Sequence, residues 1–285
     1  MKPVTAAVIA ASGYNTRRLP AAAAFPKEFM PIGNRPAIDF VIDDLVRAGV
    51  TDIYIVIHPF QRELFEGYFH TYPGLEAHLR RRKKTEELEL LYELRKRATF
   101  HLIENHTKVS GEYGTTVPLR EALRQLPDLA TYIYTTADDF TYRPGGGSDM
   151  ADLVSGFHAA NAQAALLGLE VPLAQLQSVG VCNVRREEDT NFLVHLVEKP
   201  AHPEELPEPR LANISKYLFT DAVRPFIMES RINAGSGEYR ITDVIESFAT
   251  EHKVAVVPAA GTYYDVGTLS NWMAANQALA KLKDN

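Results

Sequence analysis

The stretch from Ser12 to Ile32, SGYNTRRLPAAAAFPKEFMPI, follows a short apolar run, Ala6-Ala7-Val8-Ile9-Ala10. Its Gly13, Asn15, Arg17, Arg18 and Lys27 are residue types that suit a polyphosphate. Phosphates need main-chain N–H donors that can come close, and cations. Gly13 has no Cβ to hold a ligand off. Asn15 tolerates a left-handed backbone better than any residue except glycine. Arg17 offers a two-pronged guanidinium and Lys27 a point charge. The spacing is neither the Walker G-x-x-x-x-G-K-[ST] nor the dinucleotide fingerprint G-x-G-x-x-G. On spacing alone, a surface loop with Arg17, Arg18 and Lys27 merely solvated fits equally well.

The elements that would position this loop alternate in type. Strand-length apolar runs occur at Val4 to Ala10, Asp52 to Ile57, Thr99 to Glu104, Tyr132 to Thr136 and Ala164 to Leu169. Helical patterns lie between them at Ala37 to Ala48, Gln61 to Phe69, Val117 to Gln125 and Asp149 to Asn161. Such alternation predicts an α/β protein, a parallel sheet with helices on both faces. In these sheets the ligand crevice lies beyond the carboxyl ends of the strands, where the Gly13 loop falls. After Val171 the pattern changes. Val179 to Val184 and Phe192 to Val197 read as antiparallel strands joined by a polar turn, Arg185 to Asn191. A four-proline loop, Pro200 to Pro209, follows. Helical patterns at Thr220 to Ser230 and Ile241 to His252, a strand at Val254 to Pro258 and a helix from Leu269 to Lys283 complete the chain. The expected organisation is one domain over 1–285 with a small antiparallel extension at the far end of the sheet.

Composition narrows the function classes. The 285 residues are 46% hydrophobic and 23% charged, as in ordinary globular chains. A net charge of −6 provides no basic field for nucleic acid. The lone Cys182 rules out an internal disulfide and reads as a buried small hydrophobe. No apolar run approaches the roughly 18 residues of a membrane span. MKPVTAAVIAAS reads as a buried first strand rather than a signal peptide, because Gly13 to Arg18 follows at once, so the expected location is the cytoplasm. The charged segment Gly74 to Ala98 carries leucines at helical spacing. It reads as a solvated helical insertion with charge pairs along its face, since Glu86, Glu87, Glu89 and Glu93 offset its bases and weaken a nucleic-acid or membrane reading.

Four stretches together resemble one family. Ala11 to Pro20 followed by Pro26-Lys27-Glu28-Phe29-Met30-Pro31 is similar to the A-A-G-x-G-T-R-x-x-P and P-K-E-x-x-P signature of sugar-1-phosphate nucleotidylyltransferases. VEKP (Val197 to Pro200), GEYRITD (Gly237 to Asp243) and YYDVGT (Tyr263 to Thr268) resemble the family's later segments, in the same order. The subgroup most resembled is the bacterial UTP–glucose-1-phosphate uridylyltransferases, which carry a similar charged insertion. The resemblance runs from about Val4 to Gln277. It implies a single Rossmann-like, mixed but mainly parallel sheet of the nucleotide-diphospho-sugar transferase type, with residues 1–170 mainly binding nucleotide and 171–285 mainly binding sugar. It also implies UTP and glucose 1-phosphate as substrates, Mg²⁺ as cofactor, and a homodimer or homotetramer.

The resemblance also assigns roles. Arg17 and Lys27 would neutralise the triphosphate and the leaving pyrophosphate. Ala11, Ser12, Gly13 and Asn15 would form the nucleotide loop, with main-chain N–H groups as donors. Lys199 would hold the sugar phosphate and Glu198 the sugar hydroxyls, while Gly180 lets the sugar lie against backbone. Asp138, in TTADDF, and Asp265, in DVG, would hold Mg²⁺; Asp139 is expected to face outward. Gly114, in GEYGTT, would let the base approach the backbone, and Thr115 or Thr116 would cap the next helix. Unaided, each acid could equally be a turn or cap residue.

Four positions depart from the pattern. Asn15 stands where the family has a second glycine. Ala22 and Ala23 replace a common Thr and Lys, and Arg18 is the nearest substitute for the missing charge. The base-reading Gln has no counterpart near Thr107, and Thr115-Thr116 replaces His-Ala. A thymidylyl or other-sugar enzyme, or a weak paralogue that only binds nucleotide sugars, therefore stays in play. A nicotinamide-dependent dehydrogenase fits least, for want of G-x-G-x-x-G.

Overall fold

Runs such as AAVIAA and DIYIVI, apolar on successive residues, become strands buried on both faces. The computed structural model describes residues 3–107 and 111–279. Its strands are β1 (Ala6–Ala11), β2 (Pro31–Ile32), β3 (Arg35–Pro36), β4 (Asp52–Ile57), β5 (Thr99–Glu104), β6 (Thr131–Thr136), β7 (Asp139–Tyr142), β8 (Ala164–Leu169), β9 (Gly180–Glu187), β10 (Thr190–Glu198), β11 (Arg210–Thr220), β12 (Val254–Pro258) and β13 (Thr262–Asp265). Nine of them form one sheet in the order β5-β4-β1-β6-β11-β8-β12-β10-β9. Strands β5, β4, β1, β6, β8 and β12 run one way, and β11 and β10 run against them. The sheet is mixed and mainly parallel, as expected from the sequence. Beside it, β7 and β13 form a short antiparallel ribbon in which Asp139 faces Asp265.

Helices cover both faces, and a separate apolar core lies under each layer. On one face, helices Ala37–Arg47, Arg62–Phe69 and Asp149–Ala159 bury Ile38, Ile42, Phe65 and Leu153. On the other, Val117–Gln125 and Ile241–Ala249 bury Leu119, Leu123, Ile245 and Phe248 against Tyr132, Tyr134 and Tyr217. Cys182 is buried in this second core. No helix among the described residues is long and apolar enough to cross a membrane.

Several boundaries shift from the sequence expectations. The charged insertion is two helices, Pro73–Arg81 and Thr85–Lys96, because Lys83 takes a left-handed φ of 56° between them. Its charge pairs are real: Glu76 binds Arg95 at 2.8 Å, and Lys84 binds Glu87 at 2.7 Å. The β9–β10 turn is tighter than expected and closes on Glu188, with φ 52°. The pattern at Thr220 to Ser230 divides into a 3-10 turn and helix Arg224–Met228, which has Pro225 in its first turn. The last helix is Leu269–Leu279, and its expected extension to Lys283 falls outside the described residues.

Strand β11 is absent from the sequence expectations altogether. Its polar Asn213, Ser215 and Lys216 interrupt the apolar run that would have marked it. It nonetheless sits at the centre of the sheet, antiparallel to both β6 and β8. A register shift between Asn213 and Tyr217 coincides with a left-handed Ser215, φ 56°. Lys216 is only 2% exposed and its Nζ lies 2.6 Å from Asp139 Oδ1. Removing one member of such a buried pair strands the other charge and costs about 3–5 kcal/mol. Lys216→Ala should lower the unfolding free energy by about that amount in urea titration, and Lys216→Met combined with Asp139→Asn should lower it less.

Candidate active site

The Gly13 loop leaves β1 at Ala11 and is pinned at once. Asn105, just after β5, donates from Nδ2 to Ser12 Oγ at 2.9 Å, and both residues are buried. Asn105 also accepts from the Thr107 hydroxyl at 2.6 Å. The sequence reading passed over Asn105; its only signal was its place at the carboxyl end of a strand beside the loop. Asn15 adopts φ 57°, ψ 38°, the left-handed conformation its residue type permits. Its carbonyl accepts the Arg18 N–H at 2.9 Å, which starts a 3-10 turn over Thr16–Arg18. Arg17 is exposed and makes no ion pair among the described residues. Arg18 is turned inward instead: its Nη1 donates to the carbonyls of Val266 and Thr268 at 2.5 and 3.0 Å, and its guanidinium lies 5.8 Å from the Trp272 ring. It clasps the chain's last loop and does not replace the charge missing at Ala22 and Ala23.

Opposite the loop, the carboxyl end of β6 and the end of β13 bring two acids together. Asp138 follows β6 directly, and its carbonyl accepts the Val266 N–H at 2.9 Å. Asp265 Oδ1 accepts from Gly267 N at 2.6 Å, and its Oδ2 accepts from Asn271 Nδ2 at 3.0 Å. A Cβ placed on Gly267 would lie 2.9 Å from Asp265 Oδ1 and 3.5 Å from Asp138 Oδ2, so both carboxylates converge on one point. Lys27 Nζ reaches Asp138 Oδ2 at 2.6 Å, which joins the second half of the opening stretch to this acid. A pair of converging carboxylates that phosphate oxygens could supplement suits a hard divalent cation; no group of three or more His, Cys, Asp or Glu placed to hold a metal ion occurs among the described residues.

Asp139 corrects the expectation of an outward-facing neighbour. It points into the sheet, where Lys216, the Thr136 hydroxyl and the Tyr263 hydroxyl at 2.9 Å all hold its carboxylate. Burial pushes its carboxyl up, Lys216 pulls it back, and Asp138 adds to the push. The two adjacent acids thus meet different partners, Asp138 reaching Lys27 and Asp139 reaching Lys216.

Gly114 has a reason for being glycine that needs no nucleobase. Its φ is +131°, and a Cβ there would stand 2.3 Å from the Tyr239 carbonyl oxygen. The GEYGTT and GEYRITD segments lie main chain to main chain: Tyr239 N–H donates to Tyr113 O at 2.8 Å and Thr116 N–H to Tyr239 O at 2.9 Å. Thr115 caps a helix, but not the next one. Its hydroxyl accepts from Ile241 N at 2.9 Å, at the start of Ile241–Ala249, while Thr116 makes no side-chain cap.

The remaining expected residues gather at the far side of the sheet. Gly180 and Glu198 are cross-strand partners in β9 and β10. Lys199 follows with a left-handed φ of 47° and is largely exposed, its Nζ 3.8 Å from Glu198 Oε1. The structure therefore brings together Ala11, Ser12, Gly13, Asn15, Lys27, Asp138 and Asp265 around one end of the parallel strands, and Gly180, Glu198 and Lys199 around the neighbouring end of β9 and β10.

A mixed sheet with a cation-bearing glycine loop facing paired acids is the architecture of a nucleotide-handling α/β enzyme. The chain belongs to the nucleotidyl transferase family, whose model matches residues 6–282. It is 30% identical over 269 residues to the UTP–glucose-1-phosphate uridylyltransferase of Bacillus subtilis, covering 94% of this chain and 88% of that one. It is 29% identical over 266 residues to the enzyme of the same name from Pseudomonas aeruginosa, covering 93% and 92%. Among solved structures, a UDP-glucose pyrophosphorylase complexed with UDP-glucose superposes with a TM-score of 0.83 at 23% identity, over 98% of this chain and 100% of that one. The UTP-bound enzyme of Acinetobacter baumannii gives 0.87 at 20% identity, over 99% and 95%. These two likenesses bear on the fold. The family suggests a divalent metal.

Glu28, between Lys27 and the core, is fully buried. Burial pushes its carboxyl up from an ordinary 4.5 to about 7, with Lys27 pulling down and Asp138 pushing up. Above pH 7 the folded protein must bury this charge; below about 4.5 the group is protonated whether folded or not, and the penalty vanishes. The folded state therefore loses about 3 kcal/mol as pH rises through this window. Glu28→Gln should raise the unfolding free energy by about that amount at pH 8 and leave it almost unchanged at pH 4, measured by denaturant unfolding in a chelator.

Proposed function

We propose that this chain transfers a uridylyl group from UTP to glucose 1-phosphate, giving UDP-glucose and pyrophosphate. The observation that carries the reading is the convergence of Lys27, Asp138 and Asp265 opposite the Gly13 loop, in a chain whose relatives bear that activity in their names. A phosphate oxygen of the sugar 1-phosphate attacks the α-phosphorus, and the bond from that phosphorus to the bridging oxygen of the β-phosphate breaks. Little covalent work falls to side chains, so the site acts by placing charge and holding geometry.

Ala11, Ser12 and Gly13 offer main-chain N–H groups to the triphosphate, with Asn15 setting the turn. Arg17, which makes no ion pair among the described residues, and Lys27 balance the charge on the triphosphate and on the departing pyrophosphate. Lys199 holds the sugar phosphate, Glu198 accepts from sugar hydroxyls, and Gly180 leaves room for the ring. Asp138 and Asp265 would hold Mg²⁺, which when bound draws phosphate oxygens together and offsets their charge. The left-handed Asn15 supports an active enzyme over a merely binding paralogue, since it keeps the turn that a glycine would make. The uracil preference rests on the relatives, because the Gly114 loop is occupied by Tyr239.

The test is pyrophosphate release with glucose 1-phosphate and Mg²⁺, offering UTP, dTTP, ATP, CTP and GTP separately. Turnover should be fastest with UTP and fall by at least about 10²-fold in Asp138→Ala. Release with dTTP alone would overturn the base assignment. Nucleotide binding without release would overturn the reaction.

A further inference from the structure

Three strands meet at the sugar side of the crevice, and the first residue of β9, the last of β10 and Asn213 within β11 form one row. Gly180 in β9 pairs with Glu198 in β10. On its other side β9 pairs with β11, Val181 facing Ala212, so Asn213 is the next residue along β11 beside Gly180. A Cβ built on Gly180 would come 3.1 Å from Glu198 Oε2, 3.6 Å from Asn213 Cβ and 3.7 Å from Asn213 Nδ2. All three positions thus face the same side of the sheet. Gly180 makes a notch whose floor is bare backbone, with a carboxylate on one wall and an amide on the other.

The amide wall is held rigidly. Asn213 Nδ2 donates to Tyr217 Oη at 2.8 Å, and Oδ1 accepts the Ser215 N–H at 3.2 Å. Tyr217 is buried, and Ser215 stands in the left-handed bulge of β11. These contacts use one of the two amide N–H groups and leave the other for a ligand. The carboxylate wall is the complement. Glu198 makes no hydrogen bond among the described residues, its nearest cation, Lys199 Nζ, standing 3.8 Å away. Arg240, which Glu198 influences, is held by Asp243 at 2.6 Å. The notch therefore offers an acceptor on one side and a fixed donor on the other, which is the pattern that adjacent hydroxyls on a pyranose edge satisfy.

We infer that Asn213 determines specificity for the sugar: its free N–H donates to the oxygen of one ring hydroxyl while a neighbouring hydroxyl donates to Glu198. This rests on the assignment of Gly180 and Glu198 to the sugar site. Inverting the hydroxyl that Asn213 reads leaves the amide donor unpaired, and a site built around such a donor discriminates against that epimer. The fixed amide makes the wall selective, because it cannot turn to meet a displaced hydroxyl.

The experiment compares wild type, Asn213→Ala and Asn213→Asp with UTP and a panel of hexose 1-phosphates: glucose, its C2, C3 and C4 epimers, and the corresponding monodeoxy sugars. Asn213→Asp keeps the acceptor for Ser215 N–H but loses the donor. Both variants should raise the KM for glucose 1-phosphate about five- to ten-fold with the KM for UTP unchanged. Their preference for glucose over one epimer should fall by a similar factor. The deoxy sugar lacking the hydroxyl that Asn213 reads should be used equally well by all three proteins. Unchanged sugar KM and epimer ratios would overturn the inference, as would parallel losses for UTP and sugar, which a structural role produces. A wild-type protein that turns over none of the sugars would instead remove the assignment of the site, and the inference with it.

Discussion

The contact of Lys27 with Asp138 is the constraint around which the crevice is arranged. Lys27 comes from the segment after β1, Asp138 from the end of β6, and these parallel neighbours are held by the sheet itself. The ammonium is hemmed in by acids: Glu28 behind it, Asp138 in contact and Asp139 beyond. Burial works against its charge, and those carboxylates outweigh that and raise its pKa. Lys27 is therefore a permanent cation. Its partner Asp138 keeps a second role, since Asp265 converges on the same point from β13. Remove the lysine and three carboxylates would face one another with little between them.

Around that contact, much of the geometry comes from residues in left-handed conformations. Asn15 turns the Gly13 loop, Lys199 turns the chain after β10, and Ser215 lies at the bulge in β11. Each is a non-glycine residue in a sparsely populated region, which costs of order 1–2 kcal/mol and persists because the surroundings fix it. At Asn15 the fixing is a main-chain bond from Arg18; at Ser215 it is the side-chain Oδ1 of Asn213 accepting its N–H. Asn213 lies beside Gly180 and Lys216 pairs with Asp139, so one irregular strand reaches both groups of residues.

Much of this was legible in the sequence wherever one residue type dictates the outcome. The bounds of β4, β5, β8 and β12 were legible to the residue, and in β8 the reason is a continuous apolar run buried on both faces. In the opening loop, the left-handed turn at Asn15 was legible because that residue type tolerates it. What stayed hidden depends on distant partners. β11 reads as a polar loop, since its Lys216 is acceptable in the core only once Asp139 is known to lie 2.6 Å away. Asp139 could not be told from Asp138 without the direction of β6. Nothing local reveals that the Tyr239 main chain, 125 positions later, packs against Gly114 where a Cβ would stand.

The charge inventory of the crevice explains why the carboxylates do not repel the proposed substrates. Arg18 is spent on carbonyl groups and on the Trp272 ring, and the turn Ala21–Ala23 carries no charge. That leaves Arg17 and Lys27 as the side-chain cations of the loop, and Lys27 is already paired. Facing them are Asp138, Asp265 and, behind Lys27, Glu28. A polyanion approaching this set meets as much negative charge as positive unless a further cation joins the two aspartates. Placed there, a divalent ion would turn the acids from an obstacle into ligands and let Lys27 share its charge with phosphate oxygens. In the proposed reaction the two events would be coupled: neutralising the paired acids would favour nucleotide, and phosphate oxygens would complete the ion's shell.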